Sequence, residues 1–249
     1  MIFTIARLEL MRLFLSPLAW SILAAVQLIL AFMFLSHLEY FGLVQTQLLG
    51  LEEAPGLTEI VVAPLFGNAA VVLLLVVPLV SMRTLADERR ARTLTLLTSA
   101  PLSMTEIVLG KYLGLVGFLL LLLALILLMP LSLLLGGGLD YGVLLSGILG
   151  LALLLAGFAA VGLFMSTLTQ HQTVAAVSSF GVLLLFWILD WAGAGPGGAS
   201  ALGYLSLLNH YEPFLKGVFD SSDAVYHALF IATFLTLAVR RLEMDRLGG

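Results

Sequence analysis

The feature that most constrains this chain is its repeated return to long apolar runs, beginning near Leu13 to Leu35 and ending near Ala224 to Val239. Several exceed the ~20 residues that carry a helix across a bilayer. With 61% apolar and only 10% charged residues and a mean hydropathy of +1.13, the chain stands well below the roughly 25% charged content of soluble domains. The expectation is an all-α polytopic membrane protein, one domain over 1–249. Its first apolar run outlasts the roughly 7–15-residue core of a cleavable signal, so none is expected.

The runs place six spans, near 17–36, 60–80, 107–135, 143–165, 174–189 and 224–239. Pro17 suits the first turn of span one. Residues 37–59 read as a polar loop. Span three is overlong for one crossing unless it tilts or kinks at Pro130. Gly136-Gly137-Gly138 with Asp140 reads as a short turn, and Ser166 to Thr173 as a brief link. Six spans put both termini on one side, with ten of the eleven basic residues; only Lys216 lies opposite. That bias assigns the termini and the 83–111 loop to the cytoplasm. Acidic residues divide nine to six in favour of the outside, which matters little in this rule.

The spans are nearly bare of ionisable groups. Gln27 and Asn68 are polar but do not titrate, and Asp140, Asp190 and Lys111 fall at span ends. Ion-coupled carriers keep costly charges near the midplane, so secondary transport is disfavoured; Gln27 and Asn68 read as interhelical hydrogen-bond partners. With no cysteine, thiolate chemistry is excluded. His37, His171, His210 and His227 are dispersed and make no HExxH pattern. The nearest approach to a ligand cluster, Asn209-His210-Tyr211-Glu212, reads as a hydrogen-bonded loop anchor rather than a metal or substrate site. A phosphate loop is absent, because Gly110-Lys111 runs into Tyr112 and Thr105 stands where its first glycine belongs. The chain is therefore not expected to be an enzyme, and any ATP-driven work needs a partner.

Charge concentrates in Arg83 to Lys111, RTLADERRARTLTLLTSAPLSMTEIVLGK. Asp87-Glu88-Arg89-Arg90 begins a stretch of helical propensity with Leu94, Leu97 and Leu102 as an apolar stripe. Pro101 ends it, since the residue before proline avoids helix. Ser103-x-x-Glu106 reads as a capping box opening span three. Residues 2–16 are amphipathic, with Glu9, Arg12 and Ser16 on one face and Phe3, Leu10 and Phe14 opposite. They read as an interfacial helix with Arg12 toward anionic lipid, or otherwise as the ragged start of span one.

The 83–114 segment resembles the signature loop of ABC-2-type transporter permeases: an acidic-acidic-basic group, then TLxLLxxxP(L/I)S, then (I/V)xLGKxL. Phe14-Leu15-Ser16-Pro17, Ala160-Val161-Gly162-Leu163-Phe164 with Ser166-Thr167-Leu168-Thr169, and His210-Tyr211-Glu212 through Gly217-Val218-Phe219-Asp220 extend the resemblance over nearly the whole chain. The branch it most resembles is the gliding-motility-associated permease. Thr95 stands where Glu is common, and Arg92 where Gly or Lys often lies.

The resemblance implies the permease half of an ATP-driven exporter in a bacterial inner membrane. It implies a second copy or related permease, membrane lipid as surroundings, no nucleic acid, and two copies of a separate ATPase that binds ATP and Mg; no cofactor is implied in this chain itself. It makes 83–106 the coupling loop, whose helix docks on the ATPase through Asp87, Glu88, Arg89, Arg92, Thr93, Leu94 and Leu97. It makes 1–16 a connecting helix, and 190–223, with His210, Tyr211 and Glu212, an outer region of re-entrant helices. Spans poor in fixed charge suit a lipid-like, amphiphilic or peptide cargo. The competing classes are a mechanical or regulatory membrane module that translocates nothing and, more remotely, a secondary carrier.

Overall fold

The computed structural model describes residues 1–48, 56–91, 103–135, 139–193 and 201–247. All regular structure among them is helical: α1 Ile2–Leu15, α2 Pro17–Leu48, α3 Ala63–Ser81, α4 Arg83–Arg90, α5 Met104–Ser132, α6 Tyr141–Leu168, α7 Gln172–Gly193, the short α8 Ala201–Tyr204 and α9 Glu212–Leu215, and α10 Ser221–Leu247. Six helical stretches are long and apolar enough to cross a membrane, and they coincide with the six expected spans. The protein is an all-α polytopic membrane protein.

Several ends differ from the sequence reading. Helix α2 continues past Ser36 to Leu48, because His37 to Leu48 holds no proline and its single glycine, Gly42, is tolerated within a helix. A π-helical turn, Thr58–Val62, opens α3. The helix of span two does not stop with its apolar run; after a turn at Met82 it resumes as α4. Helix α5 runs through Pro130 and tightens into a 3-10 turn, Leu133–Leu135. Its 29 residues make about 43 Å at 1.5 Å each, longer than the hydrocarbon layer.

The expected caps are in place. Ser103 Oγ accepts from the Glu106 N–H at 3.1 Å while Glu106 Oε2 accepts from the Ser103 N–H at 3.1 Å, which satisfies two of the orphan donors of α5. Asp140 caps α6 by accepting from Gly142 N–H at 2.7 Å. Asn68 donates its amide to His37 Nε2 at 3.0 Å, tying α3 to α2, the interhelical role anticipated for it.

Helix α6 is the most enclosed of the six crossing helices. Its glycines admit neighbours closely: a Cβ at Gly147 would lie 2.5 Å from the Phe66 ring, and one at Gly150 would lie 2.5 Å from Phe214 Cβ. Helix α1 lies along α5 on a seat of Gly110, Gly114 and Gly117. A Cβ at Gly110 would meet Ile5 Cβ at 2.6 Å, and one at Gly114 the Ala6 carbonyl at 2.8 Å. Small residues at i, i+4 and i+7 let two helix backbones approach. This docking overturns part of the expected faces: Glu9 is buried and Phe3 faces outward with Leu8, Met11 and Leu15, while Arg12 stays exposed and Leu10 and Phe14 pack against the core. The reason lies in Lys111, which draws the carboxylate inward.

Candidate functional site

Three consecutive charges on α4 leave the helix in three directions, since successive residues turn by about 100°. Each finds a different neighbour. Asp87 accepts from the Gln172 amide at the start of α7. Glu88 Oε1 accepts from Lys111 Nζ on α5 at 2.7 Å and lies 3.5 Å from Arg12 Nη1 on α1. Arg89 pairs with Asp245 on α10, whose other oxygen is 3.5 Å from Arg241 Nη2. One turn of α4 thus grips four helices.

Lys111 is the centre of this hub, with its side chain 2% exposed. Its ammonium donates to Glu9 Oε2 at 3.2 Å, to the Thr84 carbonyl at 2.8 Å and to Glu88 Oε1 at 2.7 Å. An ammonium has three protons to give, and each has an acceptor. A buried cation is tolerated only with such compensation. The shared ammonium also explains why Glu9 and Glu88, on separate helices, can approach the same point.

The turn that joins α3 to α4 is held from α6. Ser166, fully buried, accepts from the backbone N–H groups of Leu85 at 3.0 Å and Ala86 at 2.9 Å and donates to the Met82 carbonyl at 3.2 Å. A hydroxyl inserted into the i→i−4 ladder is a recognised cause of a helix joint. One turn earlier on α6, a Cβ at Gly162 would sit 2.0 Å from Ser81 Oγ and 2.6 Å from Ser81 Cβ. Gly162 and Ser166 therefore press α6 directly onto the joint.

Asp87, Glu88 and Arg89, expected to face a partner, are drawn together here into contacts within the chain. Arg92, Thr93, Leu94 and Leu97 lie outside the described residues. Glu9, Lys111, Ser166 and Asp245 complete the arrangement and were not anticipated. The available signals were a lysine just inside a capped span and a carboxylate on α1 at the depth of that lysine.

At the opposite end, His210 Nδ1 lies 2.6 Å from Asp223 Oδ1 and Nε2 lies 2.8 Å from the Tyr204 carbonyl. Both partners are oxygens on opposite sides of the imidazole, so the ring is held between α10 and the backbone at Tyr204. It stacks on Tyr226 with ring centroids 3.9 Å apart. Tyr211 donates its hydroxyl to the Phe66 carbonyl of α3 at 3.0 Å, and burial pushes its ionisation upward, so it stays a donor. Glu212 is exposed and pairs with Lys216 at 3.5 Å. Gly217, at φ +78°, reverses the chain where its backbone meets Val143. His210 and Tyr211 thus anchor the segment, as expected of them, to α10 and α3. Among the described residues, no three His, Asp or Glu side chains converge as metal ligands.

The model of the family described as ABC-2 family transporter protein matches residues 3–238, so it takes in nearly all of α1, the joint, the His210 segment and the hub apart from Arg241 and Asp245. No curated protein matches the sequence.

Proposed function

The chain belongs to the ABC-2 family of transporter proteins, and from that membership we propose that it is the membrane-spanning permease subunit of an ATP-driven exporter. The observation that carries the proposal is the hub: α4, which opens the proposed 83–106 coupling loop, is fastened to α1, α5, α7 and α10 by Asp87, Glu88 and Arg89. A push on that loop reaches four helices at once. The motor is a separate ATPase that supplies the phosphate loop, ATP and Mg. It docks in two copies on a pair of permeases, this chain with itself or with a related one.

In this reading Arg92, Thr93, Leu94 and Leu97 make the contact, while Asp87, Glu88 and Arg89 deliver it. Both termini and the loop lie on the cytoplasmic face of a bacterial inner membrane, following the charge bias. The segment held by His210 and Tyr211 closes the outer end with short re-entrant helices. The cargo is lipid-like, amphiphilic or peptidic. The bundle contributes two arrangements whose balance the ATPases bias.

Co-purification with a candidate ATPase subunit that carries a phosphate loop tests the docking. Leu94→Glu with Leu97→Glu leaves the hub alone and is expected to abolish capture and the permease-dependent part of ATP turnover. Unchanged capture and turnover would overturn the proposal. Glu88→Lys is a poor probe, because it sets a second ammonium against Lys111. ATP-dependent movement of lipid or peptide in proteoliposomes then separates an exporter from a mechanical module.

A further inference from the structure

A cleft between α1, the first turn of α2 and the α3–α4 joint borders the hub, and we infer that it seats the headgroup of an anionic phospholipid. Leu13, Leu18 and Val80 give it apolar walls, and Arg12, Ser16 and Arg83 line its polar side. Its depth is set by the corner at Ser16, where the backbone turns extended (φ −84°, ψ 125°) before Pro17 opens the span. Trp20, 58% exposed, marks the same level and donates its indole N–H to the Phe14 carbonyl at 2.8 Å. Tryptophan so placed belongs to the interface between hydrocarbon and headgroups.

Arg83 is the telling residue. It is half-buried, yet among the described residues it forms no ion pair. Its Nη1 reaches only Ser16 Oγ, at 3.4 Å, and its Nε is buried without an acceptor. A guanidinium does not shed its proton, so the charge calls for an anion from outside. Arg12, at the mouth, has only a 3.5 Å share of Glu88, which Lys111 holds more closely at 2.7 Å. Two carboxylates, Glu9 and Asp87, also line the cleft. Both are committed elsewhere, Glu9 to Lys111 and Asp87 to Gln172.

The formal charges of the neighbourhood balance, three against three, so its selectivity comes from pairing. Glu9 and Glu88 are engaged by Lys111 and Asp87 by Gln172, whereas Arg83 forms no ion pair among the described residues. A phosphodiester offers paired oxygens that match the guanidinium fork. Its acyl chains would follow the outward apolar surface of Leu15 and Trp20. A choline headgroup would bring its own cation against both arginines, so phosphatidylglycerol is favoured over phosphatidylcholine.

Trp20 reports on this directly. The full chain with Trp187→Phe and Trp191→Phe, in phosphatidylcholine nanodiscs containing a minor fraction of dibrominated phosphatidylglycerol, is expected to show stronger quenching than with dibrominated phosphatidylcholine at equal fraction. Arg83→Gln should lower the apparent association about fivefold, the weight of one basic residue at an anionic surface. Arg12→Gln, at the mouth of the cleft, should lower it similarly and answers the question should Arg83→Gln misfold. Arg240→Gln, on the exposed surface of α10 near the hub, should leave it unchanged. Equal quenching by the two lipids would overturn the assignment, and so would an equal loss in Arg240→Gln, which means general surface attraction. Abolition of the excess by millimolar inorganic phosphate would make the cleft a free-phosphate site and overturn it as well.

Discussion

Lys111 and Glu9 are separated by 102 positions and yet decide where α1 goes. A polar residue on an amphipathic stretch is ordinarily assigned to water, and nothing near Glu9 in sequence says otherwise. The opposite assignment needs knowledge that a lysine one turn inside span three has lost its own hydration. Neutralising that lysine as Lys111→Met leaves Glu9 and Glu88 facing each other with only the exposed Arg12, 3.5 Å from Glu88, as a cation, and a cost of about 3–5 kcal/mol is expected for breaking such a buried pair from one side. Adding Glu9→Gln should return part of the loss by removing one of the two stranded charges. Unfolding titrations in mixed detergent micelles measure both, and additive effects of the two substitutions would show that the contact carries no coupling.

Elements were legible wherever their signals are local. The apolar runs gave six spans, and Ser103 with Glu106 gave the start of α5, because a capping box closes within four residues. The α3–α4 joint was not legible, since its cause lies on another helix: Ser166 replaces ladder bonds 80 and 81 positions away. The same holds for Gly162, whose necessity appears only once Ser81 faces it. Gly162→Ala is expected to cost about 1–3 kcal/mol through overpacking, and Ser81→Gly should relieve it, because the clashing atoms are that serine's Cβ and Oγ. A failure of Ser81→Gly to rescue would place the strain elsewhere. Ser166→Ala strips two N–H groups of their acceptor and should cost about 1–3 kcal/mol. In hydrogen exchange the loosened protection should be concentrated at Leu85 and Ala86.

Across the whole molecule, α6 joins the two ends. It holds the α4 joint through Gly162 and Ser166 at one end, and packs on Phe66 and Phe214 through Gly147 and Gly150 at the other. Its 28 residues extend about 42 Å, and interfaces this close resist gradual deformation, so a displaced joint is passed along the helix rather than absorbed. Phe214 and Tyr211 belong to the segment that His210 fastens to Asp223, so that segment would receive the displacement. If the bundle works as proposed, trapping the bound ATPase with a nucleotide analogue should change deuterium uptake over 204–220. Ser166→Ala should shrink that change while leaving ATPase capture intact, because the substitution lies behind the docking loop. Arg240→Gln, whose exposed side chain pairs with Glu243 on its own helix, should leave it as it is. A response at 204–220 of full size in Ser166→Ala would mean that the ends communicate by another route, through α5 or α10, and that the serine serves stability alone.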